Sequence, residues 1–222
     1  MSLNIFDDKS DLSLADIRKS YTRNGLTEES LPDDPFVLFR QWLDEALKSN
    51  VPEPNAMNLS TVSPEGEPDG RMVLLKGIED GAIHFFTNYT SQKGQDLKTH
   101  PIAACTFWWA ELERQVRMFG LVEPLSEDES RKYFQSRPRE SQIGAWASNQ
   151  SQPVKHRHAL EMRFKEVEKR FKGKDIPKPD YWGGYKIQVQ NIEFWQGRPG
   201  RMHDRIQYQK SDNGWSFKRL AP

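Results

Sequence analysis

The sequence predicts a mainly β protein with additional α-helices, in which short antiparallel strands form a barrel. Between Ala56 and Glu123, apolar and polar residues alternate with a period of two, which is typical of strands with one buried face. Turn-forming residues interrupt this stretch at 64–68 and at Asp80-Gly81, and Asn213-Gly214 marks a hairpin near the end of the chain. Several short strands with few helices between them favour an antiparallel barrel.

Length and composition limit the functions that the protein could have. The 222 residues are enough for one large domain, and we expect a flexible polar tail over 1–12 and a single domain over 13–222. Lys plus Arg and Asp plus Glu both number 32, which argues against a non-specific nucleic-acid binder because such a protein needs a basic excess. The single cysteine, Cys105, excludes an intramolecular disulfide and a cysteine-based metal cage.

The location of the protein is also predicted from the sequence. No apolar run approaches the roughly 20 residues that a membrane-spanning helix needs. The acidic first residues lack the pattern of a signal peptide. We therefore expect a cytoplasmic protein that does not bind a membrane.

Local signals place the secondary-structure elements. Asp34-Pro35 is a strong helix start, and a stripe of apolar residues follows it. Ser126, with Glu129 three residues later, forms a capping box. The stripe consists of Phe36, Phe39, Trp42, Leu43, Ala46 and Leu47. The other predicted helices are 13–21, 91–99 and 155–171. The predicted strands are 57–62, 71–76, 83–87, 102–109, 115–122, 185–195 and 205–210.

The segment 194–205 is the strongest candidate for a binding loop. Trp195 offers a π-face, Arg201 and Arg205 offer planar donors, and His203 exchanges a proton near neutral pH. Such groups suit a flat, polar, anionic ligand. The alternative interpretation is a solvated basic loop with one buried tryptophan.

A second candidate is the basic pair Arg71 and Lys76. Five residues of strand separate them by roughly 16 Å and put them on opposite faces, so they cannot hold one phosphate together. Either they contact two different anions, or they are the solvated ends of a strand. The two histidines His156 and His158 point in different directions on a helix, and we predict no metal site.

Six motifs in the same order resemble those of the pyridoxine/pyridoxamine 5′-phosphate oxidase family. The resemblance extends from about Ile17 to the last residue, and six motifs in register are far more specific than one. The motifs are Phe194–Arg205, Arg71–Lys76, Glu113–Arg117, Ser136–Arg139 with Ser141–Ala145, Trp182–Gly184 and Arg219–Pro222.

The resemblance implies an FMN-binding split β-barrel, antiparallel and of the Greek-key type, with flanking helices. It also implies a homodimer whose flavin sites contain residues of both subunits. The implied reaction is hydride transfer from pyridoxine 5′-phosphate or pyridoxamine 5′-phosphate to FMN, followed by reoxidation with O2. The products are pyridoxal 5′-phosphate and H2O2, and no nucleic acid takes part.

The resemblance also assigns residues to the two ligands. The residues implied for FMN are Arg71, Met72, Val73, Leu74, Leu75, Lys76, Phe86, Thr87, Gln92, Lys93, Gln115, Gln150, Ser151, Trp195 and Arg205. The residues implied for the substrate are Arg18, Tyr21, Lys76, Tyr133, Arg137, Ser141, Arg201 and His203, of which Arg201 and His203 are the catalytic candidates.

Two of these positions depart from the family pattern. Gln92 stands where the family usually has Arg, which removes one charge near the cofactor phosphate. Phe86 replaces a frequent Tyr and lacks its hydroxyl. Both changes are expected to weaken FMN binding without changing the reaction.

Three alternatives remain at this point. Another flavoenzyme on the same barrel, such as a flavin reductase, has no need of Arg137, Ser141, Arg201 and His203. A vitamin-phosphate carrier would bind without turnover. A small β-barrel that binds single-stranded nucleic acid would use exposed Trp and Arg side chains. The sequence does not decide whether Arg201 or His203 assists proton transfer.

Overall fold

The computed structural model describes Tyr21 and residues 25–222. The predicted tail and most of the predicted helix at 13–21, including Arg18, lie outside these residues. The helices are α1 (Pro35–Lys48), α2 (Gln92–Thr99), α3 (Glu127–Ser136), α4 (Arg139–Ala147) and α5 (Arg157–Arg170). The strands are β1 (Ala56–Val62), β2 (Pro68–Leu74), β3 (Gly77–Glu79), β4 (Ala82–Asn88), β5 (Ile102–Trp109), β6 (Arg114–Pro124), β7 (Trp182–Gln196), β8 (Asp204–Ser211) and β9 (Gly214–Arg219).

The nine described strands form one antiparallel sheet that curls on itself. Its order is β2-β1-β5-β6-β7-β4-β3, with β8 and β9 added beyond β7. Strand β4 pairs with β7 rather than with its neighbour in sequence, β5, which is the non-sequential pairing expected of a Greek key. Just beyond β2, the N–H of Lys76 donates to the carbonyl of His84 on β4, so the two ends of the strand order meet. The predicted antiparallel barrel with flanking helices is confirmed.

Two apolar clusters hold the fold together. The main one fills the barrel and includes the α1 residues Phe39 and Trp42, which are 0% and 1% exposed. Leu47, predicted on the same stripe, is 59% exposed, so the buried stripe of α1 ends at Ala46. The smaller cluster contains Phe134, Ile143, Phe171, Ile176 and Trp182, and it fixes α3 and α4 at one end of β7.

A bulge divides β7 into two halves. Phe119 of β6 is opposite Asn191, but the next residue, Gly120, is opposite Val189, so Gln190 is an extra residue. Before the bulge Ile187 and Val189 face the core, and after it Ile192 and Phe194 do. A Cβ at position 120 would lie 2.0 Å from the carbonyl oxygen of Gln188, so only glycine fits there.

Within the described residues, every predicted helix and strand is present, with boundaries that differ by up to three residues. The predicted strand 71–76 ends at Leu74. Leu75 still donates to the carbonyl of Asn55 next to β1, but Lys76 donates to His84 on β4 instead. Helix α4 and the three-residue strand β3 were not predicted. In the described residues no helix is long and apolar enough to cross a bilayer.

Candidate active site

A cavity of about 560 Å³ lies where β2, β4 and β7 meet α3 and α4. It brings together residues that are far apart in sequence. The predicted site residues that line it are Met72, Val73, Leu74, Lys76, Phe86, Thr87, Lys93, Tyr133, Arg137, Ser141 and Gln150. Those that sequence reasoning did not assign are Asn88, Pro138, Gly144, Ala145, Ser148 and Trp182. Four of these unassigned residues, Pro138, Gly144, Ala145 and Trp182, belong to motifs that the sequence analysis had already recognised.

Lys93 is a buried cation in this cavity. It follows the N-cap Ser91 of α2, whose hydroxyl accepts from the N–H of Gly94, and it is 6% exposed. In the described chain its Nζ is 3.4 Å from the hydroxyls of Thr87 and Ser91 and 3.5 Å from Oε1 of Gln150. These are long hydrogen bonds to neutral oxygens. Burial, and then the nearby Arg71, lower the pKa of Lys93. An anionic ligand next to Nζ would oppose both effects, because a nearby negative charge favours the charged form of Lys93.

Arg137, at the C-terminal end of α3, is a second cation of the cavity and is half-buried. Its guanidinium lies 4.6 Å from the ring centroid of Trp182 and 5.7 Å from that of Phe134. Its Nη1 is buried without a hydrogen-bond partner, and burial lowers the pKa of the side chain. A buried donor without a partner is rare in native proteins, and it marks a place where a bound group fits.

Aromatic rings form one wall of the cavity. Phe86 and Tyr133 stack with their centroids 3.8 Å apart, and Trp182 lies 5.6 Å from Phe86 and nearly parallel to it. Ser141, in the first half of α4, and the exposed Lys76 add further polar groups to the lining of the cavity. This wall combines flat apolar surfaces with hydroxyl and cationic donors, which suits a phosphorylated aromatic molecule.

Arg71 and Gln92 lie behind the cavity rather than in its lining. Arg71 donates to Oγ1 of Thr61 at 2.6 Å and to Asp69 at 2.5 Å. The fully buried Asp96 lies 3.7 Å from Arg71 and accepts from Gln92 at 2.9 Å. Two carboxylates therefore already neutralise much of the charge of Arg71. Of the other residues implied for FMN, Leu75 belongs to the main core, and Ser151 is exposed next to Gln150 with a φ of 68°.

A second group of predicted residues surrounds Trp195 at the far end of β7. The ring of His203 lies 4.7 Å from that of Trp195, and Tyr21 contacts both rings edge-on at 5.6 Å. Gln115 is directly opposite Trp195 on β6, and Arg205 is directly opposite it on β8. The loop 194–205 therefore forms a cluster around a half-buried tryptophan.

The hydrogen bonding of His203 fixes the position of its proton. The backbone N–H of Arg198 donates to Nδ1 of His203 at 3.1 Å. In the neutral imidazole the proton is then on Nε2, which makes this nitrogen a hydrogen-bond donor. Arg201 is exposed at the end of the short turn Pro199–Arg201, with a φ of 62°.

Three charged side chains lie beside Trp195. Glu193 is 3% exposed and accepts hydrogen bonds from Arg117 on β6 and from Nε of Arg205 on β8, the latter at 2.8 Å. Nη1 of Arg205 also donates to the carbonyl of Ala221 at 3.0 Å. Arg205 is therefore held from two sides.

The cavity and the Trp195 cluster lie at opposite ends of one strand. Trp182 begins β7 and Trp195 is its penultimate residue, which corresponds to as much as about 43 Å of extended chain. Sequence reasoning predicted both groups but not their separation. In the described residues no group of three His, Cys, Asp or Glu side chains lies close enough to hold a metal ion.

Similar structures define the class of protein to which this fold belongs. A crystal structure of PhzG from Burkholderia lata with tetrahydrophenazine-1-carboxylic acid is 29% identical, with a TM-score of 0.86, and covers 92% of this chain and 100% of that one. A pyridoxamine 5′-phosphate oxidase-related, FMN-binding protein from Nostoc punctiforme is 18% identical, with a TM-score of 0.67 and coverage of 86% and 100%. The fold is thus that of the split-barrel flavoproteins.

Sequence comparisons define the family. The model of the pyridoxamine 5′-phosphate oxidase family matches residues 43–171, and that of the pyridoxine 5′-phosphate oxidase C-terminal dimerisation region matches 182–222. A pyridoxine/pyridoxamine 5′-phosphate oxidase of Nostoc punctiforme is 51% identical over 96% of this chain and 100% of its own length. One from Synechocystis is 53% identical over 95% and 99%. The chain belongs to the pyridoxine/pyridoxamine 5′-phosphate oxidase family, and the predicted resemblance is confirmed.

Proposed function

We propose that this protein is an FMN-dependent oxidase that converts pyridoxine 5′-phosphate or pyridoxamine 5′-phosphate to pyridoxal 5′-phosphate. The observation that supports it best is the cavity with two cations, the buried Lys93 and the half-buried Arg137, which form no ion pair with a carboxylate among the described residues. FMN and the substrate each carry a phosphate, and each phosphate needs such a partner.

We assign the FMN phosphate to the Lys93 side of the cavity. Thr87 and Gln150 lie beside Nζ there, and Met72 to Leu74 of β2 supply the adjacent wall. Arg71 supports this side from behind, with its charge shared between Asp69 and Asp96.

We assign the substrate phosphate to Arg137. The unpartnered Nη1 would donate to a phosphate oxygen, and Tyr133, Ser141 and Lys76 line the same cavity. A guanidinium, hydroxyls and an ammonium group are the usual set for a phosphomonoester.

The chemistry comes from FMN, which when bound accepts a hydride from the substrate carbon that bears the alcohol or the amine. For the alcohol, the substrate loses two hydrogens and O2 gains them as H2O2. For the amine, water also enters and ammonia leaves. The protein positions the carbon. His203 donates a hydrogen bond through Nε2, and Arg201 contacts the substrate ring.

We further propose that the flavin site is completed by a second copy of the chain. Three large apolar side chains lie exposed on the outer face of β5 and β6: Trp108 is 49% exposed, Phe119 42% and Leu121 44%. Large exposed apolar patches of this kind mark interaction surfaces. The same face carries Trp195, and the matched dimerisation region covers β7 to β9. A partner on this face would bring its Trp195 cluster towards the cavity of the first copy.

An oxygen-electrode assay tests the proposed function. The purified protein is expected to be yellow, to show a flavin spectrum, and to consume O2 and release H2O2 with pyridoxamine 5′-phosphate. A colourless protein that takes up no FMN would contradict the proposal. Binding of pyridoxal 5′-phosphate without turnover would favour the carrier, and NAD(P)H-dependent flavin reduction without vitamin-phosphate oxidation would favour the reductase.

Two single variants test the assignment of the two phosphates. Arg137→Ala is expected to raise the substrate KM by about a hundredfold, since a charge-assisted hydrogen bond contributes up to about 3 kcal/mol, and to leave the FMN Kd nearly unchanged. Lys93→Ala is expected to raise the FMN Kd and to leave KM at saturating FMN similar. The reverse pattern would exchange the two assignments. Lys132→Ala, on the exposed face of α3, is the matched control.

A further inference from the structure

Three charges on the outer face of the sheet form a connected row. Arg117, Glu193 and Arg205 lie on the adjacent strands β6, β7 and β8, and the buried carboxylate of Glu193 bonds to both guanidinium groups. Arg117 is half-exposed, with 51% of its side chain accessible, and Arg205 is 28% exposed. We call this row the Arg-Glu-Arg triad.

The strand register places the triad next to the residues assigned to the flavin. Arg117 is directly opposite Glu193, and Arg205 is directly opposite Trp195, so all four side chains point to the same side of the sheet. Glu193 and Trp195 are two residues apart on β7, which also gives them one face. The carboxylate of Glu193 thus connects Arg117 to Arg205.

The charges of the triad are set by its burial and its bonds. Burial alone would raise the pKa of Glu193, but the hydrogen bonds from Arg205 and Arg117 outweigh it and lower the pKa. The bond from Glu193 raises the pKa of Arg205. Glu193 and Arg205 are therefore both charged at neutral pH, and together with the guanidinium of Arg117 they give the triad one net positive charge.

We propose that Arg117 and Glu193 set how much positive charge Arg205 presents to the flavin, and that they thereby tune the reduction potential of bound FMN. The inference rests on the proposed function and on the family resemblance, which implies that Arg205 contacts FMN. Reduction places negative charge on the ring, and a nearby cation stabilises that charge. Glu193 orients Arg205 and offsets part of its positive charge. Arg117 also bonds to the Glu193 carboxylate and thereby reduces how much of the Arg205 charge Glu193 offsets. Both are positioning residues rather than catalytic ones.

The proposal makes opposite predictions for the two supporting residues. Arg117→Met removes a positive charge and leaves Glu193 to neutralise Arg205, so the midpoint potential of bound FMN is expected to become more negative. Glu193→Gln removes the negative charge but keeps an oxygen that accepts from Arg205, so the potential is expected to become more positive. Arg117→Lys keeps the positive charge that Arg117→Met removes, so this variant is expected to keep the wild-type potential.

The measurement is a redox titration of the FMN-loaded enzyme with reference dyes. Glu123→Gln is the matched control, because Glu123 forms an ion pair with Lys186 at 3.2 Å on the same β6–β7 strand pair but near the other end of β7. It is expected to leave the potential unchanged. Urea unfolding of each variant reports any purely structural effect, which would lower stability without opposite shifts in potential.

Three results would overturn the inference. These are unchanged potentials in both variants, shifts in the same direction, and a shift of equal size in Glu123→Gln. Wild-type protein that binds no FMN would contradict the proposed function and this inference together. Wild-type protein that binds FMN and turns over substrate, with variants whose potentials do not move, would contradict this inference alone.

Discussion

At the residue scale, the clearest feature of the site is the state of its buried charges. A buried charge is unfavourable unless it is paired, and in the described chain neither the buried Lys93 nor the buried Nη1 of Arg137 bonds to a carboxylate. Glu193, which has two cationic partners, shows the opposite case on the same molecule. This contrast separates the two cations that we assign to ligand phosphates from the charges that are paired within the protein.

The tautomer of His203 gives a prediction at this scale. Because the N–H of Arg198 donates to Nδ1, the ring presents an Nε2–H donor. His203→Gln places an amide NH2 near the position of Nε2, whereas His203→Asn places one near Nδ1. We expect turnover to fall about tenfold more in His203→Asn than in His203→Gln, which corresponds to the loss of about 1.4 kcal/mol.

Steady-state kinetics at saturating FMN measure this difference, and His203→Ala gives the baseline. Nitrogen NMR of the imidazole reports the tautomer directly and does not depend on turnover. Equal losses in the Gln and Asn variants, or a proton found on Nδ1 in the neutral ring, would show that His203 does not act as an Nε2 donor.

At the element scale, α3 is the support that carries Tyr133 and Arg137 to the cavity. Its first turn is closed by a reciprocal pair of bonds: Ser126 Oγ accepts from the N–H of Glu129, and the Glu129 carboxylate accepts from the N–H of Ser126 at 2.9 Å. Ser126→Ala is expected to destabilise the protein by about 1 kcal/mol. Urea unfolding monitored by circular dichroism measures the change.

Ser136→Ala is the control for that experiment. Ser136 is at the other end of the same helix, and its hydroxyl only donates to the carbonyl of Tyr133. Its replacement is expected to change stability by no more than a few tenths of a kcal/mol. If both variants lost the same stability, the capping box would not be what stabilises the N-terminus of α3.

The elements also show how far sequence reasoning reached. Helices α1 and α3 were predicted from their capping residues because a cap is a local signal. Helix α4 was missed, since its N-cap is Pro138, which provides no side-chain hydrogen bond. The end of β2 was placed two residues too late, because the bond from Lys76 to His84 depends on tertiary contact.

At the scale of the whole molecule, the exposed sheet face predicts how two copies assemble. Phe119→Glu places a charge in the apolar patch of β5 and β6, and we expect it to weaken the dimer at least a hundredfold and to reduce FMN binding with it, because burying an unpaired charge costs several kcal/mol. Sedimentation velocity measures the mass in solution, and flavin absorbance measures the cofactor.

Met162→Glu is the matched control for the dimer. Met162 is 44% exposed, close to the 42% of Phe119, but it lies on α5, away from the sheet face. This variant is expected to remain a dimer with FMN bound. A dimer that survives Phe119→Glu would place the interface on another surface.

The site as a whole was only partly predictable from the sequence, because the distances between its residues depend on the folded structure. The sequence supplied most of the residues of the cavity and of the Trp195 cluster, because their motifs are recognisable without a fold. It did not supply the distance between the two groups, which depends on the length and path of β7. It also did not reveal the Arg-Glu-Arg triad, since Arg117, Glu193 and Arg205 come together only through the strand register. The assignment of individual residues to FMN and substrate stays a prediction.

The extra residue Gln190 has a consequence for the way one strand serves both regions. An uninterrupted strand gives all its odd-numbered side chains to one side and all its even-numbered ones to the other. In β7 the odd residues Ile187 and Val189 are interior, yet the odd residue Trp195 is on the outer side. Gln190 acts as a frameshift in the alternation, so any transplanted or redesigned β7 must keep it to avoid burying Trp195 in the barrel.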